Sequence, residues 1–152
     1  MSADFPDGPA AQPLGLHHVR LTVTDIGRSR AFYLKVFGSE PIADFTDQAA
    51  DPAARSDPNR LFAGCIFAFG SQLLGLRPGA PAGDRFSPER VGLDHLSLAV
   101  GSPDLLQAAA DRLTRAGITH GEVRQLPGAG LVILSLQDPD DINLELTAPL
   151  TH

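Results

Sequence analysis

The sequence contains one ten-residue stretch twice. LGLHHVRLTV occupies residues 14–23, and VGLDHLSLAV occupies residues 91–100, with five of the ten positions identical. Both copies alternate apolar and polar residues, which is the pattern of a half-buried β-strand. Because the copies lie in opposite halves of the chain, they predict two modules of the same fold.

Each copy of the repeat is followed by a helical pattern and then by three strand-like runs. The first helix is expected to end at Gly38, and the second to open at Ser102-Pro103 and close at Gly117. The strands are predicted at residues 41–45, 61–69 and 72–77, and at residues 118–124, 131–137 and 142–147. The sequence therefore predicts an α+β fold of two tandem βαβββ modules, which form a curved eight-stranded sheet around a cup-shaped cleft.

Pro-, Gly- and Asp-rich segments suggest where the modules begin and end. We expect a disordered tail at residues 1–13 and a single domain at residues 14–149. Within that domain the modules would span residues 14–77 and 91–149, with a linker at residues 78–90 between them.

Composition excludes several classes of function. The 152 residues include 12 Lys and Arg against 18 Asp and Glu, a net charge of −6 that argues against binding to nucleic acid. A lone cysteine, Cys65, can form neither an internal disulfide nor a cysteine cluster for a metal. No apolar stretch approaches the ~20 residues that span a bilayer, and the N-terminus does not resemble a signal peptide. We expect a cytoplasmic protein with no membrane partner.

The period of two along a strand identifies candidate metal ligands. His18 and His95 occupy the same position of the two repeat copies, and Glu145 lies in the last predicted strand. Two histidines and one carboxylate can hold Fe(II), Mn(II) or Zn(II) and leave coordination positions open for substrate. The alternative is that each is an ordinary surface side chain of its strand.

Two arginines are candidates for substrate binding. Arg20 should face the cleft beside His18, and Arg77 has the matching place in the last strand of the first module. A half-buried guanidinium needs an anion, which is either a nearby Asp or Glu or a carboxylate, phosphonate or enolate of the substrate. With Phe67 and Phe69 as further lining residues, a partly aromatic small molecule is expected.

Three stretches resemble the vicinal oxygen chelate superfamily, which contains glyoxalase I, bleomycin-resistance proteins, fosfomycin-resistance thiol transferases and extradiol dioxygenases. They are LHHVRLTVTD at residues 16–25, SRAFY at residues 29–33 and DPDDINLEL at residues 138–146. The resemblance implies paired βαβββ modules around a divalent metal. Asp141 stands where the family usually has Gly, so a positive φ is expected there.

The resemblance also implies a ligand set. Carried over residue by residue, it assigns His18, His95 and Glu145 to the metal and places Gly75 at the fourth ligand position. Glycine has no side chain to offer, so the chain departs from the four-ligand pattern of glyoxalase I. The three-ligand set of the dioxygenases and fosfomycin-type transferases remains, and no general base is assigned.

Two functions follow as expectations. The first is a divalent-metal-dependent enzyme that acts on a small molecule with vicinal oxygens, by extradiol-type dioxygenase or fosfomycin-type thiol transferase chemistry. The alternative is a metal-free protein of the bleomycin-resistance type, which binds or sequesters a small molecule. Relatives of this size commonly dimerise, so we expect a homodimer, in which modules pair either within one chain or between chains.

Overall fold

The computed structural model describes residues 8–150, so residues 1–7 of the expected tail lie outside the described residues. The first half contains β1 (His18–Val23), α1 (Ile26–Phe37), β2 (Ala43–Asp44), α2 (Pro52–Arg55), β3 (Cys65–Phe69) and β4 (Gln72–Pro78). The second half contains β5 (Leu96–Ala99), α3 (Pro103–Arg115), β6 (Arg124–Leu126), β7 (Leu131–Gln137) and β8 (Asn143–Pro149). Short 3₁₀ turns lie at Thr46–Gln48, Pro58–Ala63 and Pro127–Ala129.

The two halves form two open four-stranded sheets with the same topology. Their strand orders are β1-β4-β3-β2 and β5-β8-β7-β6. In each sheet the first strand pairs in parallel with the last, and the other pairs are antiparallel. This arrangement confirms the tandem βαβββ fold. Between residues 8 and 150 no hydrogen-bonded strand pair joins the sheets, so β1 and β5 are edge strands.

Polar side chains cap the N-termini of the two long helices, and a left-handed glycine ends the first of them. The Asp25 side chain accepts a hydrogen bond from the Arg28 backbone N–H, and α1 ends at Gly38, which has a φ of 69°. The Ser102 side chain accepts from the Leu105 N–H and so caps α3. No helix in the described part of the chain has the length and apolar character to cross a membrane.

The two modules share one hydrophobic core. From the first module it takes Tyr33, Phe67 and Leu76, and from the second Leu106 and Leu134, all at most 1% exposed. Burial of apolar side chains such as these is the main favourable contribution to folding, because apolar surface is removed from water.

Two buried aspartates in the turn between β7 and β8 connect the modules. The Tyr33 hydroxyl donates to Asp138 Oδ2 at 2.9 Å. The Thr24 backbone N–H donates to Asp140 Oδ2, also at 2.9 Å. Burial raises the pKa of Asp138 above its usual value, although its hydrogen bonds oppose that shift. In the same turn Asp141 has a φ of 65°, which confirms the expected positive φ.

One segment of the first module has an unusual backbone. Leu61, Phe62 and Ala63 have φ values of 52°, 57° and 61°, a left-handed conformation that is costly for residues with a side chain. The strand predicted from residue 61 therefore begins only at Cys65. Between them, Gly64 is required, because a Cβ there would overlap the carbonyl oxygen of Leu76.

Candidate functional site

A broad cavity of about 860 Å³ lies along the second sheet. Its lining includes His95, Ser135, Asn143 and Glu145, together with the 117–121 loop. Ser135 and Glu145 are directly paired across β7 and β8, so their side chains share one face of the sheet. Two of the three candidate metal ligands therefore open into the same space.

Two hydroxyl groups hold the Glu145 carboxylate. Oε1 accepts hydrogen bonds from Ser97 Oγ at 3.1 Å and from Thr147 Oγ1 at 2.9 Å. The two hydroxyl oxygens also lie close to each other, and because each carries a single proton, a hydroxyl that donates to its neighbour does not donate to the carboxylate at the same time. Among the described residues Oε2 has no hydrogen-bond partner, which leaves one carboxylate oxygen available for a ligand.

The imidazole of His95 is oriented by its neighbour in sequence. His95 Nδ1 lies 2.5 Å from Asp94 Oδ1, a contact in which the ring donates and the carboxylate accepts. This hydrogen bond raises the pKa of His95, and the charge of Glu145 adds to the shift. With Nδ1 engaged by a carboxylate, Nε2 is the nitrogen available to a metal, as in many carboxylate–histidine metal sites.

His18 lies apart from this pair. Its exposed ring contacts His17, with the two Nδ1 atoms 2.9 Å apart. It lines a pocket of about 90 Å³ with Ser97, and not the cavity that holds His95 and Glu145. Between residues 8 and 150 no group of three or more His, Cys, Asp or Glu side chains could hold a metal ion. Among the three candidate ligands, only His95 and Glu145 line the same cavity of one chain, so one chain offers two of the three ligands.

The strand register confirms that Gly75 and Glu145 are equivalent positions. Arg20 pairs with Gly75 across β1 and β4, and Ser97, the repeat equivalent of Arg20, pairs with Glu145 across β5 and β8. A Cβ on residue 75 would lie 3.2 Å from Arg20 Nε and 3.3 Å from Arg20 Cγ. The arginine side chain therefore occupies the space that a carboxylate fills in the second module.

Arg20 and Arg77 converge on one aromatic ring. The guanidinium carbon of Arg77 lies 3.7 Å from the centroid of the Phe62 ring, and that of Arg20 lies 5.6 Å from it. Both distances are within the range of cation–π attraction. Sequence reasoning missed Phe62, because residues 61–69 were interpreted as one strand.

The expected roles of Phe67 and Phe69 need correction. Phe67 pairs with Leu74 while Ile66 pairs with Gly75, so both phenylalanines point away from the face that carries Arg20. Phe67 is completely buried, and the Phe69 ring packs 4.7 Å from that of Phe37 in α1. Their rings pack against the helix and do not line the face that carries the arginines.

Comparisons with known proteins give a consistent result. The model of the Glyoxalase/Bleomycin resistance protein/Dioxygenase superfamily matches residues 15–146. YwkD of Bacillus subtilis (strain 168) is 28% identical over 132 residues, which make up 86% of this chain and 94% of YwkD.

Solved structures share the fold. The glyoxylase/bleomycin resistance protein/dioxygenase domain from Frankia sp. EAN1pec superimposes with a TM-score of 0.68 and 27% identity, covering 91% of this chain and 93% of that domain. The fosfomycin resistance protein FosX from Listeria monocytogenes has a TM-score of 0.65 and 17% identity, with coverage of 91% and 93%.

Proposed function

Because the chain belongs to the Glyoxalase/Bleomycin resistance protein/Dioxygenase superfamily, we propose that it is a divalent-metal-dependent enzyme acting on a small molecule with vicinal oxygens. Fe(II), Mn(II) and Zn(II) are the candidate ions, since imidazole and carboxylate ligands suit all three. Incorporation of dioxygen into a diol and addition of a thiol or water to an electrophile are the two reaction classes that we consider.

The observation that supports this proposal most directly is the arrangement of His95 and Glu145. Both line the 860 Å³ cavity, and each is held by neighbours that leave one donor atom available. Such oriented ligands are typical of metal sites, where a second layer of hydrogen bonds fixes the first. A bound divalent ion would polarise the substrate oxygens and stabilise negative charge that develops on them.

A second copy of the chain would complete the ligand set in this proposal. His18 lies on edge strand β1, whose unpaired side offers a surface for another copy. Leu14 and Val91, at equivalent positions of the repeat, are fully exposed at 106% and 109%. A homodimer that covers these apolar side chains and brings His18 of one copy to the His95–Glu145 pair of the other accounts for both features.

The proposal is tested first by metal content. Protein purified without added metal, and then dialysed against each ion, is analysed for bound Fe, Mn and Zn. We expect about one ion per chain, and substitution by His95→Ala or Glu145→Ala should abolish binding. Retention of the full metal content by both variants would overturn the proposal.

Mixed dimers test whether the site is shared between chains. His18→Ala and Glu145→Ala chains, each unable to bind alone, are co-expressed. With random pairing, a site built from two chains restores about a quarter of the wild-type metal content, because half of the dimers contain one intact site. A site built within one chain restores none.

A metal-free binding protein is the second candidate, and the Arg20–Gly75 contact favours it. The fourth ligand position of the family's pattern holds a guanidinium, which repels a cation. This function predicts that the small-molecule affinity of the protein is unchanged by a chelator, whereas the enzyme requires the ion.

A further inference from the structure

We propose that Arg20, Arg77 and Phe62 form a binding site for an oxyanion group, a carboxylate or a phosphonate, carried by the substrate. The site lies on the first module and uses none of the candidate metal ligands. The inference rests on the proposed function in one respect only, because it takes the anion to be part of the same substrate.

The half-buried arginines of the chain differ in their partners. Four of them are half-buried: Arg20, Arg30, Arg60 and Arg77. Arg30 contacts two carboxylates at 2.6 and 2.7 Å, and Arg60 contacts two at 2.9 and 3.4 Å. The side chains of Arg20 and Arg77 have no ion pair or hydrogen bond to any residue in the described part of the chain. A half-buried arginine of this kind is stabilised by an anion, which the described residues do not supply.

Gly75 leaves space on the sheet for the Arg20 side chain. Arg20 crosses β4 above Gly75, where a β-carbon would meet its Nε and Cγ atoms at 3.2 and 3.3 Å. A larger residue would push the side chain away from Phe62. The absence of a side chain at position 75 thus allows Arg20 to lie on the sheet beside Arg77, which is two residues further along the same strand.

An unusual backbone conformation positions the Phe62 ring. Three consecutive left-handed residues, Leu61 to Ala63, precede Gly64, which is in tight contact with the carbonyl of Leu76 in β4. Strained backbone of this kind persists where the surrounding structure enforces it, and it is concentrated at ligand-binding sites. Here it places one aromatic ring against both guanidinium groups.

The chemistry of two guanidinium groups identifies the ligand class. Like charges beside one ring repel each other, and cation–π contacts compensate only part of the lost hydration. A planar carboxylate or a phosphonate can accept paired N–H donors from the guanidinium groups and also offsets their positive charge, whereas a neutral molecule leaves the charge in place and a metal cation adds to it. An oxyanion is therefore the group that satisfies this arrangement.

The experiment is calorimetric titration of metal-free protein, in chelator and at constant ionic strength, with acetate and with methylphosphonate. We expect saturable binding of at least one anion, and the preferred one identifies the substrate group. Arg20→Gln and Arg77→Gln should each weaken binding by about tenfold or more, because charge-assisted hydrogen bonds are lost. Phe62→Leu should weaken it less, since both cations remain.

Arg112→Gln is the matched control, because Arg112 is an exposed arginine of α3 on the other module. Binding by this variant should equal that of the wild type, and circular dichroism verifies that each variant is folded. Absence of saturable binding in the wild type, or equal loss in the control, would overturn the inference. A third outcome would also overturn it: the wild type binds no anion and is a dimer, and Arg20→Gln dissociates that dimer. The arginines would then pair with a second copy of the chain and not with a substrate. Failure of the metal proposal is separate, since it leaves anion binding by metal-free protein intact.

Discussion

Arg20 lies directly across the parallel β1–β4 pair from Gly75, and its side chain fills the space above that glycine. In the second module the equivalent pair is Ser97 and Glu145, which are joined by a hydrogen bond of 3.1 Å. The space above equivalent positions of the two modules is thus filled by the Arg20 guanidinium in the first module and by the Glu145 carboxylate in the second. This asymmetry is what the proposed anion site and the proposed metal site rest on.

Gly75→Glu should weaken anion binding at Arg20 and add a carboxylate at the position equivalent to Glu145. The new carboxylate would lie beside Arg20 and form an ion pair with it, so affinity for acetate or methylphosphonate should fall by about tenfold. If a three-ligand metal centre exists, the added carboxylate should leave metal binding at least as tight. Calorimetry and the thermal midpoint, measured with and without Mn(II), Fe(II) or Zn(II), report the two effects.

Gly75→Ala is the control for that substitution. Its Cβ requires Arg20 to move by only a few tenths of an ångström, and it adds no charge. Anion binding should stay within about threefold of the wild type, because both guanidiniums remain. A loss as large as that of Gly75→Glu would show that space, and not charge, governs the site.

Ser97→Ala tests the hydroxyls that hold Glu145. Removal of the donor to Oε1 should lower metal affinity by about tenfold, the usual effect of a lost second-layer hydrogen bond. Equilibrium dialysis measures this without any assay of activity. Ser135→Ala is the matched control, because Ser135 lies across from Glu145 but is not among its described hydrogen-bond donors. An unchanged affinity in Ser97→Ala would contradict the prediction.

Tyr33→Phe removes the buried hydrogen bond to Asp138, and the free energy of unfolding at pH 7 should fall by about 1–3 kcal/mol. Burial raises the folded-state pKa of Asp138, whereas the Tyr33 hydrogen bond opposes that shift. The contribution of this bond is therefore present above the pKa of Asp138 and declines as the pH falls through it. Urea unfolding at pH 7 and at about pH 4 measures the difference.

The control for this prediction is the same substitution in an Asp138→Asn background. An amide at position 138 carries no charge, so the pH dependence of the Tyr33→Phe effect should disappear. The double-mutant cycle isolates the energy of the pair from other effects of each change. If the destabilisation by Tyr33→Phe still depends on pH in the Asp138→Asn background, a group other than Asp138 is responsible for the titration.

The repeat predicted more of the molecule than local patterns did. It located β1 and β5, and the equivalence of Gly75 with Glu145, because a duplicated fold keeps its strand register. Gly38 and Ser102 marked helix ends correctly, since capping depends on residues close in sequence. These features are local or repeated, and sequence reasoning has direct access to both.

The remaining features depend on contacts that are distant in the chain. Phe62 has a left-handed backbone beside Gly64, which packs on the Leu76 carbonyl in a tertiary contact that has no local signal in the sequence. Residues 118–124 were expected to form a strand, but β6 comprises Arg124–Leu126, and the preceding loop lines the cavity. The faces of Phe67 and Phe69 were misassigned, because an apolar run gives no indication of which residues point inward.

The bonds from Tyr33 to Asp138 and from Thr24 to Asp140 join residues 105 and 116 positions apart. On the ribosome, the N-terminal module is therefore synthesised long before the acceptors for these groups exist. Its half of the common core remains open to water until the β7–β8 hairpin emerges. Contacts between residues so far apart in the sequence slow folding. The turn at residues 138–141 thus completes the N-terminal module, and a nascent chain stalled before Asp138 would be a substrate for chaperones.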